Sequence, residues 1–220
     1  MNWIDFFILF VLFIAIINGY RRGIFKEIST FLGLIVGIIF AVSNADWVAM
    51  QLEGKFNVSP SILYVASFIL VLAGSLIILR ILGRYFYKMV KITPLRVSNK
   101  VGGSAFGVIK GLVFLSLLFL LFIFPTPFKT FDNAIEGSTL AKPIRGFVPL
   151  VYDNTTYLHP GSGEFLAELQ KGILLSSASL YADDPGAALR DKVLLGMSDD
   201  DVDTLDKLSR YFSKAKKELE

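Results

Sequence analysis

Any chemistry in this chain has to come from charges placed where charges are costly. Asp5 and Lys110 lie inside long apolar runs, and Glu27 stands at the start of another. An ionised side chain in such surroundings needs a partner, a route to water or a role in moving ions. Glu27 can meet Lys110 or Arg80 across neighbouring helices. Asp5 cannot reach Arg21 within one helix, because 16 residues separate them by about 24 Å. Asp5, Glu27, Arg80 and Lys110 are therefore the candidate intramembrane charge network. Two readings stay open: structural pairing with Lys110 snorkelling toward the surface, and a proton or ion path.

The remaining reactive residue types do not assemble into a catalytic set. His159, the single histidine, sits in His159-Pro-Gly-Ser-Gly163 and reads as an exposed turn residue. Ser162 is outside any Gly-x-Ser-x-Gly elbow and is expected to cap a helix near residues 164–175. The acids between Asp199 and Asp203 lack the ligand spacing, glycine and terminal Glu of a calcium loop, so they read as helix caps. Gly102, Gly103 and Gly107 follow no strand and precede no Gly-Lys-Ser/Thr, which excludes a phosphate loop. Cysteine is absent, and with it thiolate chemistry and disulfides. The expectation is a non-enzymatic protein without catalytic residues, metal or cofactor.

The elements that must hold these residues are membrane helices. The chain has 220 residues, 54% of them hydrophobic, and a mean hydropathy of +0.59, well above a soluble domain. Residues 1–124 carry a net charge of +7 and residues 125–220 a net charge of −4, so the positive charge accompanies the apolar runs and does not mark a nucleic-acid surface. Those runs are Trp3 to Tyr20, Ile28 to Val42, Ser61 to Leu79 and Ala105 to Phe124. The second offers only about 22 Å and spans if it stands upright or borrows Ser43 to Val48. Arg21, Arg22 and Lys26 follow the first run, and six Lys/Arg with no acid separate the third from the fourth. By the positive-inside rule both loops are cytoplasmic. Four crossings then leave both chain termini outside, in the periplasm of a bacterium. The predicted fold is all-α: a four-helix transmembrane domain over 1–124, a proline-rich extended connection over 125–160, and a small helical extramembrane segment over 161–220.

Helix faces add two expectations. Gly33, Gly37 and Ala41 recur every four residues, as do Gly103, Gly107 and Gly111, and each set forms a smooth face for close helix packing. The two faces are expected to pack on each other or on a second copy. Arg80, Arg84, Lys88 and Lys91 form one basic stripe suited to anionic lipid headgroups. Beyond the spans, Asp184-Pro185 and Gly196 bracket one helix, and Val202, Leu205 and Leu208 line another.

Taken together, Met1-Asn-Trp-Ile-Asp5, Gly19-Tyr-Arg-Arg-Gly23, Phe25-Lys-Glu27 leading into Gly33 and Gly37, and Ser98-Asn-Lys-Val-Gly-Gly103 leading into Gly107 and Gly111 resemble the CvpA family of colicin V production proteins. The likeness covers about residues 1–124 and recurs weakly in the C-terminal helix. Family members often carry Asp-Arg where this chain has Asn99-Lys100, so a role that needs an acid there does not carry over. The resemblance implies a bacterial inner-membrane protein linked to colicin V production or export and to envelope and biofilm traits. The partners it implies are membrane lipids, a second copy, or another envelope or export protein. It implies no catalytic residue and no cofactor.

Overall fold

Each apolar run becomes a helix: α1 (Trp3–Arg22), α2 (Ile24–Leu52), α3 (Pro60–Met89) and α4 (Ser98–Ile123). The computed structural model describes residues 2–52, 55–56, 58, 60–89, 98–123, 134–181, 202 and 204–210. All four helices are long and apolar enough to cross a membrane. The first begins with a capping box in which the Asn2 side chain accepts from the Trp3 N–H and the Asp5 carboxylate accepts from the Asn2 N–H. Its end is a single residue, Gly23, whose φ of +78° is disfavoured for any side chain. The Gly23 N–H closes on the Gly19 carbonyl at 2.9 Å, and α2 starts at once. The second span does borrow Ser43 to Val48 and extends at both ends of the apolar run Ile28 to Val42, so that α2 has 29 residues and is about 43 Å long. Asn44 permits this by donating its side-chain amide to the Phe40 carbonyl one turn back.

Packing pairs α1 with α4 and α2 with α3, and α2 also touches α4. Ile8, Ile38, Ala41, Phe68, Leu115 and Leu120 are among the buried side chains at the centre.

The extended connection expected over 125–160 is a series of short helices joined by turns over its described residues, 134–160. Residues 134–136 form one turn, followed by α5 (Ala141–Ile144), α6 (Phe147–Asp153) and a 3-10 turn over Thr156–Leu158. Pro143 and Pro149 do not oppose this, since both occupy the third position of a helix, where no preceding turn exists to receive an N–H. A longer helix, α7 (Phe165–Tyr181), lies across the ends of α2 and α3. Its Phe165, Leu169 and Ile173 are buried in the same core as the spans, together with Leu208 from the helical residues 204–210. Gly172 permits the approach, because a Cβ there would stand 2.3 Å from the buried Tyr64 ring.

Two expectations in this region are corrected. His159 is buried: its ring stacks on Tyr152 with centroids 4.2 Å apart, and Nε2 lies 3.2 Å from the Tyr152 carbonyl. The first N–H of α7, on Phe165, is received by Asp153, not by Ser162. Both follow from the fold of residues 147–165 back on themselves, which brings the end of α6 beneath the start of α7. The expected helix over 184–196 and the acids Asp199, Asp200, Asp201 and Asp203 lie outside the described residues.

Candidate functional site

The charge network resolves into two sites at opposite ends of the bundle. At the end where α1 turns into α2, Glu27 occupies the first turn of α2, where unpaired backbone N–H groups favour a carboxylate. It is fully buried, and Lys110 of α4 donates to it directly. Helical side chains lean toward the N-terminus of their helix, so Lys110, rooted midway along α4, reaches back to this level. Arg22, half exposed, adds a second cation 3.9 Å from the other carboxylate oxygen. Arg80 is exposed and takes no part, and Asp5 lies at the far end of α1. The structure therefore unites Glu27 with Lys110, adds Arg22, and leaves Asp5 and Arg80 elsewhere.

At the opposite end, Asp5 clasps the segment that follows the spans. Its carboxylate is buried and accepts from the Asn2 N–H, from the Ser138 hydroxyl at 2.5 Å and from the Leu140 N–H at 3.1 Å. Ser138 Oγ in turn accepts from the Ala141 N–H at 3.0 Å, and the Asn2 amide donates to the Ala134 carbonyl at 3.0 Å. Nothing in the sequence pairs positions 133 residues apart, so this partner had no local signal. Asp5→Ala should leave the Ser138 and Leu140 donors without their acceptor and cost about 1–3 kcal/mol. Limited proteolysis of the detergent-solubilised chain measures it: cleavage between residues 134 and 164 should accelerate, and an unchanged rate would exclude the clasp.

The two small-residue faces meet different helices and not each other. Gly103, Gly107 and Gly111 lie against α1, where added Cβ atoms would stand 2.3 Å from the Gly19 carbonyl oxygen, 2.5 Å from that of Ala15 and 3.1 Å from the Ala15 methyl. Gly37 lies against Leu72 and Leu76 of α3, Gly33 against Leu79, and Ala41 is fully buried. The complementary face is Ala15 and Gly19 of α1 with Gly23 just past its end, itself spaced by four residues and so visible in the sequence. Asn99 caps α2 from the start of α4, its Oδ1 accepting from the Ile24 N–H at 3.0 Å. A Cβ at Gly23 would collide with that amide at 2.3 Å. Beside it, the Lys100 ammonium sits 5.3 Å from the Tyr20 ring centroid.

Of the basic stripe, Arg80 is exposed, Arg84 and Lys88 fall on α3, and Lys91 lies outside the described residues. Among the described residues no group of three or more His, Cys, Asp or Glu could hold a metal ion.

Four long apolar helices around a shared core define a multi-pass α-helical membrane protein. A family model described as Colicin V production protein matches residues 4–149, and the chain belongs to that family. The matched range extends past the spans to include Ser138 and Leu140, which Asp5 clasps, and Val148, whose N–H is received by Ser116. No curated protein and no solved structure matches the chain.

Proposed function

We propose that the protein is a non-enzymatic component of the bacterial inner membrane that assists colicin V production or export and, with it, envelope and biofilm functions. The observation that supports this reading is the family match over residues 4–149, which takes in all four spans and the start of the cap laid across them. The charge pattern supports an orientation in which the six Lys/Arg between the third and fourth runs are cytoplasmic and both termini periplasmic. The cap over residues 134–181 then lies on the periplasmic side, and the part of it that stands clear of the hydrocarbon is the contact surface for an export or envelope partner or a second copy, while Arg80, Arg84, Lys88 and Lys91 meet anionic headgroups.

The test is colicin V release from a strain lacking its own family member, with and without this chain. Restored release is expected; release that stays at the uncomplemented level would remove the reading. A reporter fused after Glu220 should be active only outside the cytoplasm, and cytoplasmic activity would overturn the orientation.

A small channel or transporter is the second reading, favoured by one observation, the buried Glu27–Lys110 pair. Solute flux into liposomes containing the purified protein separates the two.

A further inference from the structure

We infer that residues 145–150 form a re-entrant element in the bilayer, with Leu150 facing the acyl chains of the leaflet at the Asn2 end of the bundle. The depth follows from α4. Its apolar stretch Ser98–Phe122 has 25 residues, whereas a hydrocarbon core about 30 Å thick takes roughly 20 residues of helix. Wherever that core falls within the stretch, it covers residues 103–117, and Ser116 is inside. The first helix locates the edge more closely. With 20 residues it is just long enough to span, and Trp3, Ile4 and Phe7 stand beside Leu118, Phe119 and Phe122 around an apolar cleft. The hydrocarbon boundary therefore lies near Phe122, and Ser116 is about 9 Å below it.

Ser116 Oγ accepts from the Val148 N–H at 3.0 Å and donates to the Arg145 carbonyl at 2.8 Å. The first turn of α6 is thereby held at the depth of Ser116. Leu150 is two residues further on, about 3 Å along the helix axis, and 42% of its surface is exposed. The element meets the demands of a lipid setting. At Leu150 the backbone is paired, with its N–H on the Gly146 carbonyl and the Asn154 N–H on its carbonyl. The element's polar side chain, Arg145, and the Ser116 of α4 that holds it are both buried in protein. Tyr157 and Leu158, exposed on the turn that follows, suit the headgroup boundary.

The chain lacks cysteine, so single cysteines can carry a nitroxide label without further changes. Leu150→Cys, made in the full chain and reconstituted in phosphatidylcholine–phosphatidylglycerol vesicles, is compared with Phe10→Cys on the lipid side of α1 and Lys55→Cys in the α2–α3 turn. Collision rates with oxygen, which concentrates in hydrocarbon, and with a water-soluble nickel chelate are measured for each. The ratio of oxygen to nickel collisions at Leu150 should match Phe10 and exceed Lys55 severalfold. A ratio equal to that of Lys55 would place the element in water and overturn the proposal. Protection from both reagents would place protein over Leu150 and overturn the lipid contact. Both readouts are independent of colicin V release, so this proposal and the functional one fail separately.

Discussion

Gly107→Leu should force α1 and α4 apart and unfold the chain more readily than a volume-conserving change further along α4. The obstacle lies at Cβ itself, 2.5 Å from the Ala15 carbonyl oxygen and 3.3 Å from the Gly19 Cα. Both are helix backbone, which cannot rotate aside as a side chain can. Overpacking a membrane or soluble core typically costs about 1–3 kcal/mol, and a backbone obstacle puts this site at the upper end, about 3 kcal/mol. Leu118→Ile is the matched comparison, since it keeps volume beside an open cleft and should cost under about 1.5 kcal/mol. Unfolding of both variants in detergent, with the amount of each inserted in the membrane, gives the answer. Equal midpoints would show that the close approach does not hold the helices together.

Glu27→Gln should be comparably severe for an electrostatic reason. The substitution keeps the shape but leaves Lys110 facing a neutral amide, with only 20% of its side chain exposed, and takes the counter-charge from Arg22 as well. Removing one member of a buried ion pair costs about 3–5 kcal/mol, and the partial exposure of Lys110 points to the lower end. Adding Lys110→Gln removes the uncompensated cation and should recover part of the loss. Strictly additive losses in the two single variants and the double variant would exclude coupling. The same set decides between the two functional readings. A double variant that melts and inserts normally but no longer supports function would make Glu27 a carrier of charge instead of a structural ion.

The membrane character of the chain was legible because hydropathy depends only on local composition. Four spans, the loop charges and the small-residue spacing are all properties of short windows, and the helices fall where those windows lie. The length of α2 was less so. Composition left open whether it stopped at Val42 or went on through Ser43 to Val48; in place the Asn44 amide returns to the Phe40 carbonyl and the helix runs on to Leu52. The prolines after residue 124 suggested an extended chain, since proline statistics carry no information on which helical position it will occupy. Pro143 and Pro149 landed in first turns, where they do no harm.

The family resemblance and the importance of Glu27 could be read from residue order, but partners could not. Which cation reaches Glu27 depends on the relative height of α2 and α4, and that height is set by Gly103 and Gly107 seating on Gly19 and Ala15. The same contact brings Asn99 over Ile24 as a cap. Asp5 was visible as a costly charge at the start of a span, yet Ser138 and Leu140 became its donors only when the chain returned after all four crossings. Sequence alone determined what each segment must bury and where charge is expensive, because those are local solvation energies. Tertiary structure alone decided which groups share the cost, because pairing across helices depends on register and close approach between residues far apart in the chain.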